Sequence, residues 1–170
     1  MIGRRVLLLG LVMMTGLLLE TTLLGGMTLG GTQPELVLLI VVALGMAEGP
    51  AAGAVAGFVG GFATDMLLDL PKGLSSLVFT SVGYAVGALR EHYEGTSAWL
   101  TIIIAGLATA AGVIGYGAVS VLFGLDGLVP VEVVRHAGLA AVYSMLLAPF
   151  VLPAVRRVGE RLRPRKVVRL

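Results

Sequence analysis

The chain has 170 residues, 57% of them apolar by type and only 13% charged, with a mean hydropathy of +0.99. Soluble domains carry about 25% charged residues because that much polar surface must face water, so this composition excludes a soluble globular protein, and the apolar content excludes a disordered chain. With no cysteine and a formal net charge of only +2, a disulfide scaffold is excluded too, leaving an all-α, polytopic membrane protein.

A spanning helix takes about 20 residues at about 1.5 Å each to cross about 30 Å of hydrocarbon. The length therefore allows at most about six or seven short-looped spans and no separate catalytic domain. Arg4 and Arg5 precede an apolar run at residues 6–24, interrupted by Thr15, Glu20, Thr21 and Thr22. That run exceeds the usual signal-peptide core and no A-x-A site follows, so it is read as an uncleaved first helix. Thr32-Gln-Pro-Glu35 matches a capping box, with Thr32 capping the second helix and Glu35 reaching back to its backbone. The second run, residues 35–47, is about 20 Å long as a helix and short for a full crossing.

Glu48-Gly49-Pro50 breaks the chain before the third run, residues 50–70. Here Gly49, Gly53, Gly57 and Gly61 recur at intervals of four and so share one slowly drifting helix face. Ala52, Ala56, Gly60 and Thr64 form a second small-residue row beside it. Small faces let backbones approach closely in lipid, so the stripe predicts tight packing, against another helix of the same chain or against a partner's helix. Asp65 and Asp69 lie four apart near the end of this run, before Pro71 and Gly73. Acids in a membrane default to functional hypotheses, and acids at a helix C-terminus oppose the macrodipole, so both are expected to make a specific contact. That contact is either polar links fixing the loop to Gly73 or a role in binding. Because asparagine keeps one acceptor oxygen, Asp65→Asn is expected to be tolerated under the first reading.

Runs at residues 74–89, 98–123 and 137–155 complete six spans in a single transmembrane domain, residues 1–155, followed by a basic tail, residues 156–170. Cytoplasmic flanks are enriched in lysine and arginine. With both termini inside, Arg4, Arg5, Arg90, Arg156, Arg157, Arg161, Arg163, Arg165, Lys166 and Arg169 are cytoplasmic, and only Lys72 and Arg135 lie outside. The tail is read first as a topology anchor attracted to anionic lipid, and second as a docking site for a cytoplasmic partner. Because the basic residues flank apolar spans, the pI of 9.3 gives no reason to expect nucleic acid.

No metal or cofactor site is expected. His92 and His136 fall on loops of opposite sides under this topology, and no G-x-S-x-G, H-E-x-x-H or G-x-x-x-x-G-K-[ST] occurs. Glu20 is the one further acid near the outer side that could join Asp65 and Asp69 in a proton or cation site. The expectation is a non-enzymatic protein.

Gln33-Pro34-Glu35-Leu36-Val37-Leu38-Leu39 looks like a Pro-led second helix. Gly57-Phe58-Val59-Gly60-Gly61 then runs into Asp65, and Lys72-Gly73-Leu74-Ser75-Ser76-Leu77 and Gly83-Tyr84-Ala85-Val86-Gly87 follow. In these motifs residues 33–93 resemble the family of the rod shape-determining protein MreD. The family's aspartate before its Gly-Leu turn maps onto Asp65 or Asp69. The resemblance implies a bacterial inner-membrane scaffold of the elongation machinery that binds an MreC-like single-span protein. It further implies work alongside RodA, a class B penicillin-binding protein and the MreB filament in lateral peptidoglycan synthesis and cell shape. It also implies a fold like that of the membrane substrate-binding subunits of energy-coupling-factor transporters, and hence the alternative of a vitamin-binding subunit.

Overall fold

A computed structural model describes residues 2–24, 35–67, 73–92, 98–124 and 130–162. Among these residues there are six helices and no strand. Helix α1 (Ile2–Leu19) runs on through wider π-type turns over Glu20–Leu24 and is followed by α2 (Leu36–Glu48), α3 (Pro50–Leu67), α4 (Leu74–His92), α5 (Ala98–Leu122) and α6 (Pro130–Leu162).

Helix α2 has no polar face between Leu36 and Gly45, and a helix that is apolar all round belongs inside. All ten of those residues are buried, and the other five helices all pack against α2. Its thirteen residues reach only about 20 Å. Helices α3 and α4 form the closest pair around this axis, and α5 and α6 form a second antiparallel pair.

The corner between α2 and α3 is a single residue. Gly49 adopts φ 99°, and its N–H donates to the Gly45 carbonyl at 2.9 Å. Pro50 then opens α3, where its missing N–H costs nothing. A residue before proline is pushed out of the helical region, and glycine takes the positive φ without strain.

The outer surface is apolar almost everywhere. Trp99 is 78% and Leu122 83% exposed, and Val55, Phe58 and Phe62 on α3 and Leu146 on α6 are exposed as well. Such contiguous apolar cover suits lipid rather than water. Two helix stretches, Trp99–Leu122 and Val131–Gly159, are long and apolar enough to cross a membrane, and Gly10–Thr22, Leu36–Glu48 and Leu74–Arg90 are shorter apolar segments. Buried threonine hydroxyls are satisfied within their own helices, as membrane helices require. Thr64 donates to the Gly60 carbonyl at 3.0 Å and Thr109 to the Ala105 carbonyl at 2.9 Å.

Two local expectations are corrected. Helix α2 starts at Leu36, with Glu35 in its N-cap position at φ −82°, ψ 70° and making no side-chain cap; Thr32 lies outside the described residues. A capping box would need helical backbone at Gln33, which Pro34 disfavours. His136 lies within α6 rather than on a loop, its Nδ1 2.7 Å from the Glu132 carbonyl oxygen, because α6 begins at Pro130, well before the apolar run at residue 137.

Candidate functional site

The glycine stripe of α3 faces α4 of the same chain. A Cβ on Gly53 would meet the Gly83 carbonyl, one on Gly57 the carbonyl of Phe79 and the amide nitrogen of Thr80, and one on Gly61 the backbone of Ser75 and Ser76. The contact is reciprocal, since a Cβ on Gly83 would meet the Gly53 carbonyl and one on Gly87 would lie 2.5 Å from the nitrogen of Pro50 and 2.6 Å from the carbonyl carbon of Gly49. Gly49, Gly53, Gly57 and Gly61 thus join Gly83 and Gly87 in one backbone-to-backbone seam. The second row turns to α2: Gly60 lies against Val37 and Val41, and Ala56 and Thr64 are buried.

The seam brings the end of α3 beside the start of α4, and Asp65 occupies that junction with 0% exposure. Its Oδ2 accepts from the Gly73 N–H at 2.8 Å and, more weakly, from the Ser76 N–H at 3.4 Å and the Ser76 hydroxyl at 3.5 Å. Its Oδ1 accepts from the Ser75 N–H at 3.2 Å. The first N–H groups of a helix have no intrahelical acceptor, and a carboxylate there also complements the macrodipole. Gly73 sits at φ 105°, a conformation that favours glycine, and so turns its N–H toward Asp65. Asp69 lies outside the described residues.

Glu20 repeats the device one helix pair earlier. It is 8% exposed, and its Oε2 accepts from the Val37 N–H in the first turn of α2 at 2.8 Å. At the other end of α2, Arg90 of α4 donates to the Ala47 carbonyl at 2.8 Å. The central helix therefore carries a carboxylate at its positive end and a guanidinium at its negative end, each supplied by a neighbour.

Sequence reasoning singled out Glu20 without finding its role and missed Arg90 as a cap, because neither contact is local. Gly83 and Gly87 entered the sequence reading only as part of a family motif, and their packing against α3 was not anticipated. Among the described residues no group of three or more His, Cys, Asp or Glu side chains is arranged to hold a metal ion. Glu20 and Asp65 point at backbone amides of their own chain, and what they do is lock helix starts. Replacing Glu20 by alanine strands the Val37 N–H and is expected to cost about 1–3 kcal/mol. Glutamine, which keeps an acceptor, should lose clearly less; thermal unfolding of the detergent-solubilised protein checks the order.

A family model described as rod shape-determining protein MreD matches residues 2–158 of this chain. No curated protein matches, and no solved structure matches.

Proposed function

The chain belongs to the MreD family of rod shape-determining proteins, and from that premise we propose that it is a non-enzymatic scaffold of the bacterial cytoplasmic membrane. In this reading it binds an MreC-like single-span protein and, through it, helps organise RodA, a class B penicillin-binding protein and MreB during lateral peptidoglycan synthesis. The family match over residues 2–158 carries the reading. The packing supports it. Glu20 and Arg90 bond backbone groups at the two ends of α2, and Asp65 bonds those at the start of α4, so these charged side chains serve to hold helices together.

Affinity purification in mild detergent from a rod-shaped host tests the proposal. A copurifying single-span, coiled-coil periplasmic protein, together with rounding of cells on depletion, is the expected result. A copurifying pair of ATPases with unchanged cell shape would overturn the scaffold in favour of a transporter subunit.

The scaffold crosses the membrane six times with both termini in the cytoplasm, a reading that rests on the ten-to-two partition of lysine and arginine between the two sides. A reporter fused after Leu170 is expected to be cytoplasmic and one inserted after Gly124 periplasmic. A periplasmic C-terminus would remove the six-crossing arrangement.

A further inference from the structure

Helix α5 brings two hydroxyls to the end of the bundle where α2 and α4 begin. Gly112 of α5 lies against Leu38 of α2, and Gly115 lies against Val78 of α4. Tyr116 and Ser120 follow at spacings of four on the Gly112 face, since residues four apart lie one above the other on a helix. The Tyr116 phenol stands beside Ser120 and within electrostatic reach of Asp65 and Glu35, and Glu35 in turn faces Glu20. Three carboxylates and two hydroxyls therefore meet around the starts of α2 and α4.

Two of these groups are engaged and two are not. Glu20 and Asp65 accept from backbone amides. Glu35, half-buried at the N-cap position of α2, makes no side-chain cap. Ser120 is 2% exposed, and its buried Oγ has no hydrogen-bond partner among the described residues. That is unusual within this fold. Thr15, Thr64, Ser81 and Thr109 each return a hydroxyl to the carbonyl four residues back, which is how a hydroxyl in an apolar helix is normally satisfied. Ser120 makes no such bond to the Tyr116 carbonyl. A buried hydroxyl left without a partner is costly, and so is a group of carboxylates in an apolar surround with no positive charge beside it. Among the described residues none of the three carboxylates forms an ion pair with lysine or arginine, and Arg135, the described basic residue near this end, is exposed. An uncompensated negative charge and an unused oxygen thus lie at one place.

We propose that the carboxylate of Glu35 and the hydroxyls of Tyr116 and Ser120 bind an alkali metal cation between the starts of α2 and α4 and the end of α5. All three side chains offer oxygen, the donor that hard cations take. The free donor set carries a single negative charge, because Glu20 and Asp65 are committed to amides, so it matches a monovalent ion. A divalent ion asks for more carboxylates or a fuller oxygen cage, and no group of three or more acidic or histidine side chains is arranged for one among the described residues. Glu20 and Asp65 add a favourable field without touching the ion. Bound there, the cation ties α5 to the two helix starts that Glu20 and Asp65 already cap. The inference is independent of the scaffold reading.

The test is thermal unfolding of the purified full-length protein in detergent, in sodium or potassium chloride against choline chloride of equal ionic strength. A ligand at about thirty times its dissociation constant favours the folded state about thirtyfold, which for a chain of this size raises the unfolding midpoint by about 4–8 °C. The wild type should show such a saturable rise with at least one of the two alkali salts. Ser120→Ala separates a bound ion from general packing. In choline it should be at least as stable as the wild type, because it removes an unpartnered buried hydroxyl, and in the alkali salt it should fall below the wild type by most of the rise. Tyr116→Phe and Glu35→Gln should lose the response as well. A wild-type midpoint that is the same in all three salts would overturn the proposal and leave a buried water as the partner of Ser120. A full alkali response in Ser120→Ala would overturn it too, as would a Ser120→Ala protein already less stable than the wild type in choline. A rise with calcium chloride alone would overturn it in favour of a divalent ion.

Discussion

Gly57→Leu is expected to abolish stable folding. At this position the α3 backbone lies directly on the carbonyl of Phe79 and the amide of Thr80. The obstacle is main chain of a packed helix, not the end of a flexible side chain. Overpacking a core that can adjust its side chains costs about 1–3 kcal/mol. Here relief requires α3 and α4 to separate, which opens the seam at Gly53 and Gly61 as well, so the cost should exceed that range and take a large part of a typical total of about 5–15 kcal/mol. Even Gly57→Ala should be strongly destabilising. The measurement is the yield of monodisperse protein in detergent and its unfolding midpoint. Gly10→Leu serves as the control, since Gly10 is exposed in α1 with nothing within 4 Å of an added Cβ, and it should change the midpoint by only a degree or two. A Gly57→Leu protein as stable as that control would mean that the seam does not hold the two helices together.

The contrast between these glycines shows where the sequence is readable. The four-residue spacing on α3 exposes a small face directly, because helical period converts spacing into geometry. It does not name what lies opposite. That depends on Gly83 and Gly87 standing at matching heights on α4, a relation between segments. Helix α2 is readable in the same limited sense: its apolar run is evident, and its shortness looks like a weak crossing until the five surrounding helices make it the axis of the molecule.

Polar contacts were the least legible. Glu20 meets Val37 across 17 residues of chain and Arg90 meets Ala47 across 43, distances over which no local pattern operates. The local pattern that was available, the capping box at Thr32-Gln-Pro-Glu35, does not mark the start of α2, which falls at Leu36 with Glu35 making no side-chain cap. Asp65 was more accessible. An acid near a helix end, opposed by the dipole of its own helix, is expected to make a specific contact, and of the two contacts open from the sequence, a link to the Gly73 loop or a role in binding, the structure shows a hydrogen bond from the Gly73 N–H.

That contact sharpens what substitution of Asp65 should do. Asparagine was expected to be tolerated because it keeps one acceptor oxygen, but among the described residues both carboxylate oxygens of Asp65 accept hydrogen bonds. If the amide oxygen of the Asp65→Asn side chain takes the Oδ2 position, it holds the Gly73 and Ser76 bonds while its NH2 is set against the Ser75 N–H, donor facing donor. Losing one buried hydrogen bond and stranding its partner costs about 1–3 kcal/mol, and the charge that favours the α4 N-terminus is lost as well. Asp65→Asn is therefore expected to lower the unfolding midpoint measurably yet leave a foldable protein. Asp65→Leu removes every acceptor at the site and should be worse by at least the cost of a second stranded amide, with loss of the folded protein from membranes and rounding of cells that depend on it. The same ranking must appear in thermal stability, membrane abundance and cell shape, because a capping role acts on all three through folding. If Asp65→Asn instead matched the wild type in stability and abundance but lost all function, the carboxylate would be acting on something other than its own helix.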